Sequence, residues 1–286
     1  MLSINKIVLP IDFSDRSKAA AAEARFLAKV FGAEVLAVYV MEPMPIYGGG
    51  LEMAAPIDWY ALQRPAVDQR LAPFVAAELG DVTVKTLVRE GDPATEIVAV
   101  ANEEKADLIL LATHGFGGFR RFLLGSVAAK VLSDAAVPVL TSAHLQEGSG
   151  QQEIKSVLLA VDVDQRAPLL MKAAAGVARQ FGAKLHIVHA SPDDGAGPGR
   201  FVDPTWRVEI AKRRDAALRE DMAAAGVEAT LQVVAGEVAK VVRQVAEECG
   251  ADLVVLGRTT ETGILGRLRT NSYAIVREAP CAVLSI

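Results

Sequence analysis

Short runs rich in Val, Ile and Leu alternate along the chain with longer stretches whose apolar positions recur at helical spacing. Such runs, bounded by turn residues, are the pattern of strands buried on both faces, and the stretches between them are amphipathic helices. In the first half strands are predicted at Lys6 to Ile11, Glu34 to Val40, Thr83 to Arg89, Leu108 to Thr113 and Val137 to Thr141. Alternation of this kind gives parallel strands joined by right-handed crossovers. The expected fold is α/β, an open five-stranded parallel sheet in each half with helices on both faces. Gly32 and Gly182 each follow a helical pattern and precede a strand, where a left-handed cap costs glycine least. The alanine-rich stretch Ala19 to Lys29 carries Arg25 and Lys29 on one face, so it reads as an amphipathic helix and not as a membrane segment. Glu42 to Asp68, with several prolines and three consecutive glycines, reads as a long irregular connection at a strand end, the place where functional loops occur.

The second half repeats the first. Lys6 to Asp12 resembles Ser156 to Asp162, and Asp12 and Asp162 stand 162 − 12 = 150 positions apart. Phe31-Gly32-Ala33 matches Phe181-Gly182-Ala183 at the same offset. Ala106-Asp107-Leu108 matches Ala251-Asp252-Leu253 at 251 − 106 = 145, so the second copy is slightly shorter. Self-similarity of this period organises the chain as two tandem domains. The polar, glycine-bearing stretch Ser142 to Glu153 is the linker, which places the domains at residues 1–145 and 153–286.

Composition narrows the partners. Of 286 residues 51% are apolar and 23% charged, a globular balance, and the net charge of −5 is accompanied by no basic stripe. Nucleic acid is therefore not an expected partner. Lys212-Arg213-Arg214 sits between Glu209 and Asp215 on a helical pattern and reads as a solvated mixed-charge face. With neither a leader nor a bilayer-length apolar stretch in view, the expectation is a cytoplasmic protein without membrane contact. Cys249 and Cys281 read as buried free thiols, and His186 and His189, three apart on a strand, point to opposite faces and share no metal.

In an open parallel sheet, ligands bind outside the carboxyl ends of the strands where the strand order reverses. Asp12 stands just past the first strand, where its carboxylate could accept from a ribose hydroxyl or an adenine amino group. Asp12-Phe13-Ser14-Asp15 equally reads as a helix start with Ser14 or Asp15 as cap, and both readings stand. Thr113-His114-Gly115-Phe116-Gly117-Gly118 is a glycine-rich turn followed by Arg120 and Arg121, and Gly125-Ser126 opens a helix over Val127 to Asp134. Backbone amides at such a turn and helix start can cradle phosphate; the alternative is a flexible turn with Ser126 as an ordinary cap.

These segments together resemble the universal stress protein family. Its nucleotide-binding members carry Gly, two residues, Gly, nine residues, then Gly followed by Ser or Thr. This chain has Ala112-Thr113-His114-Gly115, nine residues from Phe116 to Leu124, then Gly125-Ser126, with alanine at the first position. The resemblance extends to Pro10, Asp12, Phe13 and Ser14, to Gly91-Asp92-Pro93 and to Val137-Pro138-Val139-Leu140. It implies Rossmann-like domains of the adenine nucleotide α-hydrolase kind and a stress-response protein that binds ATP, with or without Mg2+. By that resemblance Asp12 and the backbone around Ile11 and Val40 hold adenosine, and Gly115, Gly125, Ser126 and Val127 hold the phosphates. Pro10, Ala112 and His114 complete the set. An alanine at 112 is tolerable where φ is negative and the ligand does not press on its Cβ.

The second half keeps Asp162, but Thr259 falls opposite Gly115 and Arg269-Thr270 opposite Gly125-Ser126, which makes it a degenerate pocket. By the strand order of that family the terminal strands, Val137 to Thr141 and Ala282 to Ile286, lie at sheet edges, and pairing them with each other gives an intramolecular pseudo-dimer of the two domains, with a further homodimer left open. No P-loop or other catalytic motif is present, His114 is the sole proton-transfer candidate, and at most a slow ATP hydrolase is expected. A scaffold that binds no nucleotide is the other alternative.

Overall fold

A computed structural model describes residues 3–43, 58–112, 124–142, 153–191, 204–258 and 270–286. The first repeat runs β1 (Lys6–Pro10), α1 (Asp15–Phe31), β2 (Glu34–Met41), α2 (Trp59–Leu79), β3 (Val84–Glu90), α3 (Pro93–Glu103), β4 (Leu108–Ala112), α4 (Ser126–Asp134) and β5 (Val139–Ser142). The second runs β6 (Ser156–Ala160), α5 (Ala167–Phe181), β7 (Lys184–Ser191), α6 (Pro204–Ala225), β8 (Thr230–Ala235), α7 (Val238–Glu248), β9 (Leu253–Leu256), α8 (Thr270–Glu278) and β10 (Ala282–Ser285). The fold is α/β and dominated by parallel strands. Among the described residues no helix is long and apolar enough to cross a membrane.

The chain forms two compact units. One comprises Ile4–Ala112 and Gly125–Val137, with strand order β3-β2-β1-β4 and parallel pairing of β1 with β2 and β4 and of β2 with β3. Its central strands are apolar throughout because helices cover both faces: Ile7, Leu9, Leu36, Leu108, Ile109 and Leu110 are fully buried. Each such side chain contributes about 1.5–3 kcal/mol by leaving water. The other unit contains Pro138–Ile286, with order β5-β10-β9-β6-β7-β8. Its strands pair in parallel except for β5 and β10, which run antiparallel with Leu140 opposite Leu284. β5, the last strand of the first repeat, thus lies in the same unit as the last strand of the second.

Gly32 and Gly182 end α1 and α5 in the left-handed region, at φ 68° and 65°, as their place before a strand predicts. The basic stripe of α1 is satisfied by one carboxylate: Lys29 Nζ lies 2.5 Å and Arg25 Nε 4.0 Å from Asp81. The expected irregular stretch Glu42 to Asp68 needs correction, because helix begins at Trp59 and runs through Pro65 and Pro73. Both prolines are exposed while Val67, Leu71 and Leu79 are buried. The carbonyls they leave unbonded therefore face water, which lowers the usual cost of a proline inside a helix. The expected solvated face at Lys212-Arg213-Arg214 also holds only in part: Arg213 pairs with Glu209, but Arg214 donates from Nη1 to Ser191 Oγ on β7.

The repeated Ala-Asp before β4 and β9 has a physical cause. Asp107 Oδ2 accepts from the backbone N–H of Asn5 at 2.7 Å and of Lys6 at 3.1 Å, closing the amino-terminal edge of β1. Asp252 Oδ2 does the same for Lys155 and Ser156 at 2.7 and 3.0 Å. Asp107→Ala strips partners from two amides and is expected to lower stability by about 1–3 kcal/mol in a denaturant melt, without touching the opposite end of the sheet.

Candidate functional site

β1 is flanked by β2 on one side and β4 on the other, so the chain reverses its direction of travel across the sheet between β1 and β4. The crevice outside the carboxyl ends of these two strands is the ligand position of open α/β sheets. Pro10 closes β1, Ile11 N–H makes the last ladder bond to Val38 O at 2.8 Å, and Asp12 follows. Ser14 is the cap of α1, its side chain accepting from Ser17 N–H. Asp12 is exposed and not the cap, yet it organises the helix start through one oxygen. Oδ1 accepts from Ser14 N–H at 2.9 Å, from Ser14 Oγ at 2.5 Å and from Ser17 Oγ. Among the described residues Oδ2 receives no hydrogen bond. Burial pushes the Asp12 carboxyl up, but the bonds from Ser14 and Ser17 outweigh it and hold the group below the usual carboxylate range. The helix-start reading therefore holds, with Ser14 as the cap, and it engages only Oδ1.

Val40 lies two residues beyond the end of the β1–β2 register at Val38. Even-numbered residues of β2 turn their backbone groups toward β1, as Glu34 N–H to Asn5 O and Ile11 N–H to Val38 O show. The N–H and C=O of Val40 therefore face the space past the end of β1, with no strand among the described residues there to take them. Ala112 ends β4 and is not among the residues with positive φ, so it meets the backbone condition for an alanine at this position.

Gly125 caps α4 at φ −59° and ψ 148° without a side-chain bond, and an added Cβ there would meet no atom of the described residues within 4 Å. Ser126 and Val127 form the first turn, both exposed, with N–H groups that have no intrahelical acceptor. Lys130, one turn further, donates to Asp92 Oδ1 at 2.7 Å and to Thr95 Oγ1 at 2.9 Å. Asp92 follows the carboxyl end of β3 and caps α3, so this pair holds the start of α4 at that end of the sheet. The Lys130 ammonium, then the Thr95 hydroxyl and amide, hold the Asp92 carboxyl at about 2. Gly91-Asp92-Pro93 is thus a turn, a cap and a first helical residue. His114 and Gly115 lie outside the described residues.

The family model described as the universal stress protein family matches residues 3–142 and 153–286. The chain belongs to that family. A universal stress protein of Methanocaldococcus jannaschii is 42% identical over 135 residues, covering 47% of this chain and 79% of its own. One of Thermus aquaticus is 37% identical over 135 residues, covering 47% of this chain and 95% of its own. The crystal structure of a universal stress protein from Archaeoglobus fulgidus shares the fold over 100% of this chain and 98% of its own, with a TM-score of 0.74 at 24% identity.

In the second repeat of this universal stress protein the corresponding crevice lies between β6 and β9 and is built differently. Ser14 and Ser17, which hold Asp12, correspond at the offset of 150 to Asp164 and Ala167. Asp164 accepts instead from Arg166 N–H, Nε and Nη2, and Arg166 Nη1 reaches across to the carbonyl of Arg258 just past β9, at 2.9 Å. A Cβ at Gly257 would lie 2.5 Å from Leu170 Cδ1. Thr270 opens α8 as Ser126 opens α4, whereas Thr259 and Arg269 lie outside the described residues. His189 is buried, its Nδ1 donating to Val161 O at 2.9 Å. Cys249 and Cys281 are free but half-buried, short of the full burial expected, and burial still pushes both thiols up, Cys281 to about 12, which leaves them poor nucleophiles.

Sequence reasoning missed Ser17, which both receives the Asp12 N–H at 2.9 Å and donates to its carboxylate. Its position three residues after the Ser14 cap was the available signal. It also missed that Phe13 is left-handed, for which one sequence offers no signal.

Proposed function

We propose that this universal stress protein binds an adenine nucleotide, ATP in the first instance, in its first domain, residues 1–145, and that occupancy alters its association with a partner. The observation that carries this is the division of labour within Asp12. Oδ1 is engaged by the helix start, which leaves Oδ2 without a hydrogen bond among the described residues, and the backbone of Val40 opens past the end of the same strand, β1. A carboxylate acceptor and a backbone donor and acceptor at one strand end suit a ribose hydroxyl and an adenine edge. The open space at Gly125 and the amides of Ser126 and Val127 suit phosphate at a helix start. Mg2+ in this proposal comes with the nucleotide, coordinated by phosphate oxygens and water. A cytoplasmic setting, where ATP is supplied, belongs to the same proposal.

The second domain, residues 153–286, is proposed to hold no nucleotide, because Arg166 and Leu170 occupy its crevice. The β5–β10 ladder supports an intramolecular pairing of the last strands of the two repeats. Protein purified without added nucleotide, then denatured, is expected to release an adenine nucleotide identifiable by chromatography and mass. Calorimetry on the full chain is expected to give a stoichiometry near one. Two equivalent sites, or no adenine nucleotide bound at all, would overturn the proposal.

A further inference from the structure

Phe13 has φ 60°, and the other described non-glycine residue with positive φ is Lys105, just past the end of α3 where such a conformation is ordinary. A bulky aromatic residue between a strand and a helix is a different case, since its Cβ is crowded there and the conformation persists only when its surroundings impose it. The surroundings do so. The Phe13 ring is stacked on Tyr39 of β2, with centroids 4.9 Å apart and planes at 29°. Phe74 of α2 meets it edge-on at 5.9 Å, and the Arg70 guanidinium carbon, also on α2, stands 4.3 Å over its centre.

The left-handed turn at Phe13 swings the next residue back, which is what brings Ser14 N–H and Oγ onto Asp12 Oδ1. The second repeat supports the link between turn and cluster. At the offset of 150 Phe13 becomes Val163 and Tyr39 becomes His189. Val163 is 40% exposed and has no positive φ. Asp164 N–H there bonds the backbone carbonyl of Asp162 at 3.0 Å, where Ser14 N–H bonds the carboxylate of Asp12. Among the described residues the cluster and the turn are present together in one repeat and missing together from the other.

We propose that Tyr39, Arg70 and Phe74 act through Phe13 as positioning residues for Asp12, so that the docking of α2 sets the direction in which the carboxylate meets a nucleoside. This rests on the nucleotide reading given above. A binding group must be held within about 0.5 Å of its productive position to be effective, and the cluster supplies that restraint from outside the pocket.

The test uses the full chain as wild type, Phe13→Gly, Phe13→Tyr, Arg70→Met, Asp12→Asn and the double variant Asp12→Asn/Phe13→Gly. Glycine accepts the positive φ without strain, so Phe13→Gly removes the ring while keeping the turn accessible. Two readouts are taken: adenosine affinity by calorimetry, and the Asp12 titration by carboxyl-carbon NMR without ligand. Phe13→Gly is expected to weaken adenosine at least about tenfold and to move the Asp12 titration up toward the ordinary carboxylate value. Arg70→Met should do the same to a smaller extent, and Phe13→Tyr should restore both. In the Asp12→Asn background Phe13→Gly should add less than about twofold, because the cycle isolates effects that act through Asp12. An Asp12 titration unchanged in Phe13→Gly, or the same loss of affinity in both backgrounds, overturns the proposal. Should the wild type take no adenosine, the nucleotide reading fails and the NMR titration alone decides the positioning role.

Discussion

Gly125→Val is expected to fold as the wild type does and to lose nucleotide binding. At φ −59° and ψ 148° the residue occupies extended backbone open to any L-amino acid, and β-branched residues favour it. Among the described residues no atom lies within 4 Å of the position its Cβ would take. The substitution therefore meets no clash with the described residues and no backbone strain, and its effect on stability should fall within about 0.5 kcal/mol. The open volume it fills is the approach to the Ser126 and Val127 amides, where a phosphate must come within hydrogen-bonding distance of the backbone. Loss of that approach should weaken ATP at least about a hundredfold, or about 2.7 kcal/mol. Gly125→Ala should be intermediate. Calorimetry beside a thermal melt separates the two effects, and an unchanged affinity in a folded Val variant would rule the phosphate cradle out.

A chain truncated after Leu145 is expected to self-associate or aggregate. β5 is buried along its whole length and pairs with β10 through Val139, Leu140 and Thr141, opposite Ser285, Leu284 and Val283. Thr141 Oγ1 also donates to Val283 O at 3.2 Å within that ladder. Truncation removes the partner strand and leaves an apolar edge with a row of open N–H and C=O groups, which is a template for another chain. Pairing with β5 of a second molecule satisfies it; otherwise the fragment precipitates. Light scattering reads the outcome, and a stable, soluble monomer would show that the β10 ladder is dispensable.

The Asp107→Ala expectation contrasts with both. Asp107 looked in the sequence like part of a repeated motif, and repetition alone suggests function. Its two bonds to Asn5 and Lys6 place it at the amino end of the sheet, away from the strand ends where ligands bind, so its repetition reflects folding. Gly91-Asp92-Pro93 belongs to the same class: its residues begin α3, and the link to the candidate site is indirect, through Lys130.

What the sequence determined by itself was local or periodic. Burial on two faces requires continuous apolar strands, a helix that stops before a strand requires a residue tolerant of positive φ, and both signals are written in neighbouring residues. The strand positions, Gly32, Gly182 and the offset of 150 were legible for that reason. So were a cap at Ser14 or Asp15, which the structure settles as Ser14, and the start of α4, which the structure begins at Ser126, one residue before the expected Val127. The pairing of the last strand of each repeat was expected from the strand order of the family, and the β5–β10 ladder bears it out across 142 residues at the Thr141–Val283 contact. Two matters depended on residues far apart in the chain, and the tertiary structure alone decided them. The helix through Pro65 and Pro73 survives because both prolines happen to face water, which is settled by packing. Phe13 is left-handed because Tyr39, Arg70 and Phe74 hold its ring. In each case the local preference is weak or contrary, and long-range contacts, whose energies no short window of sequence contains, outweigh it.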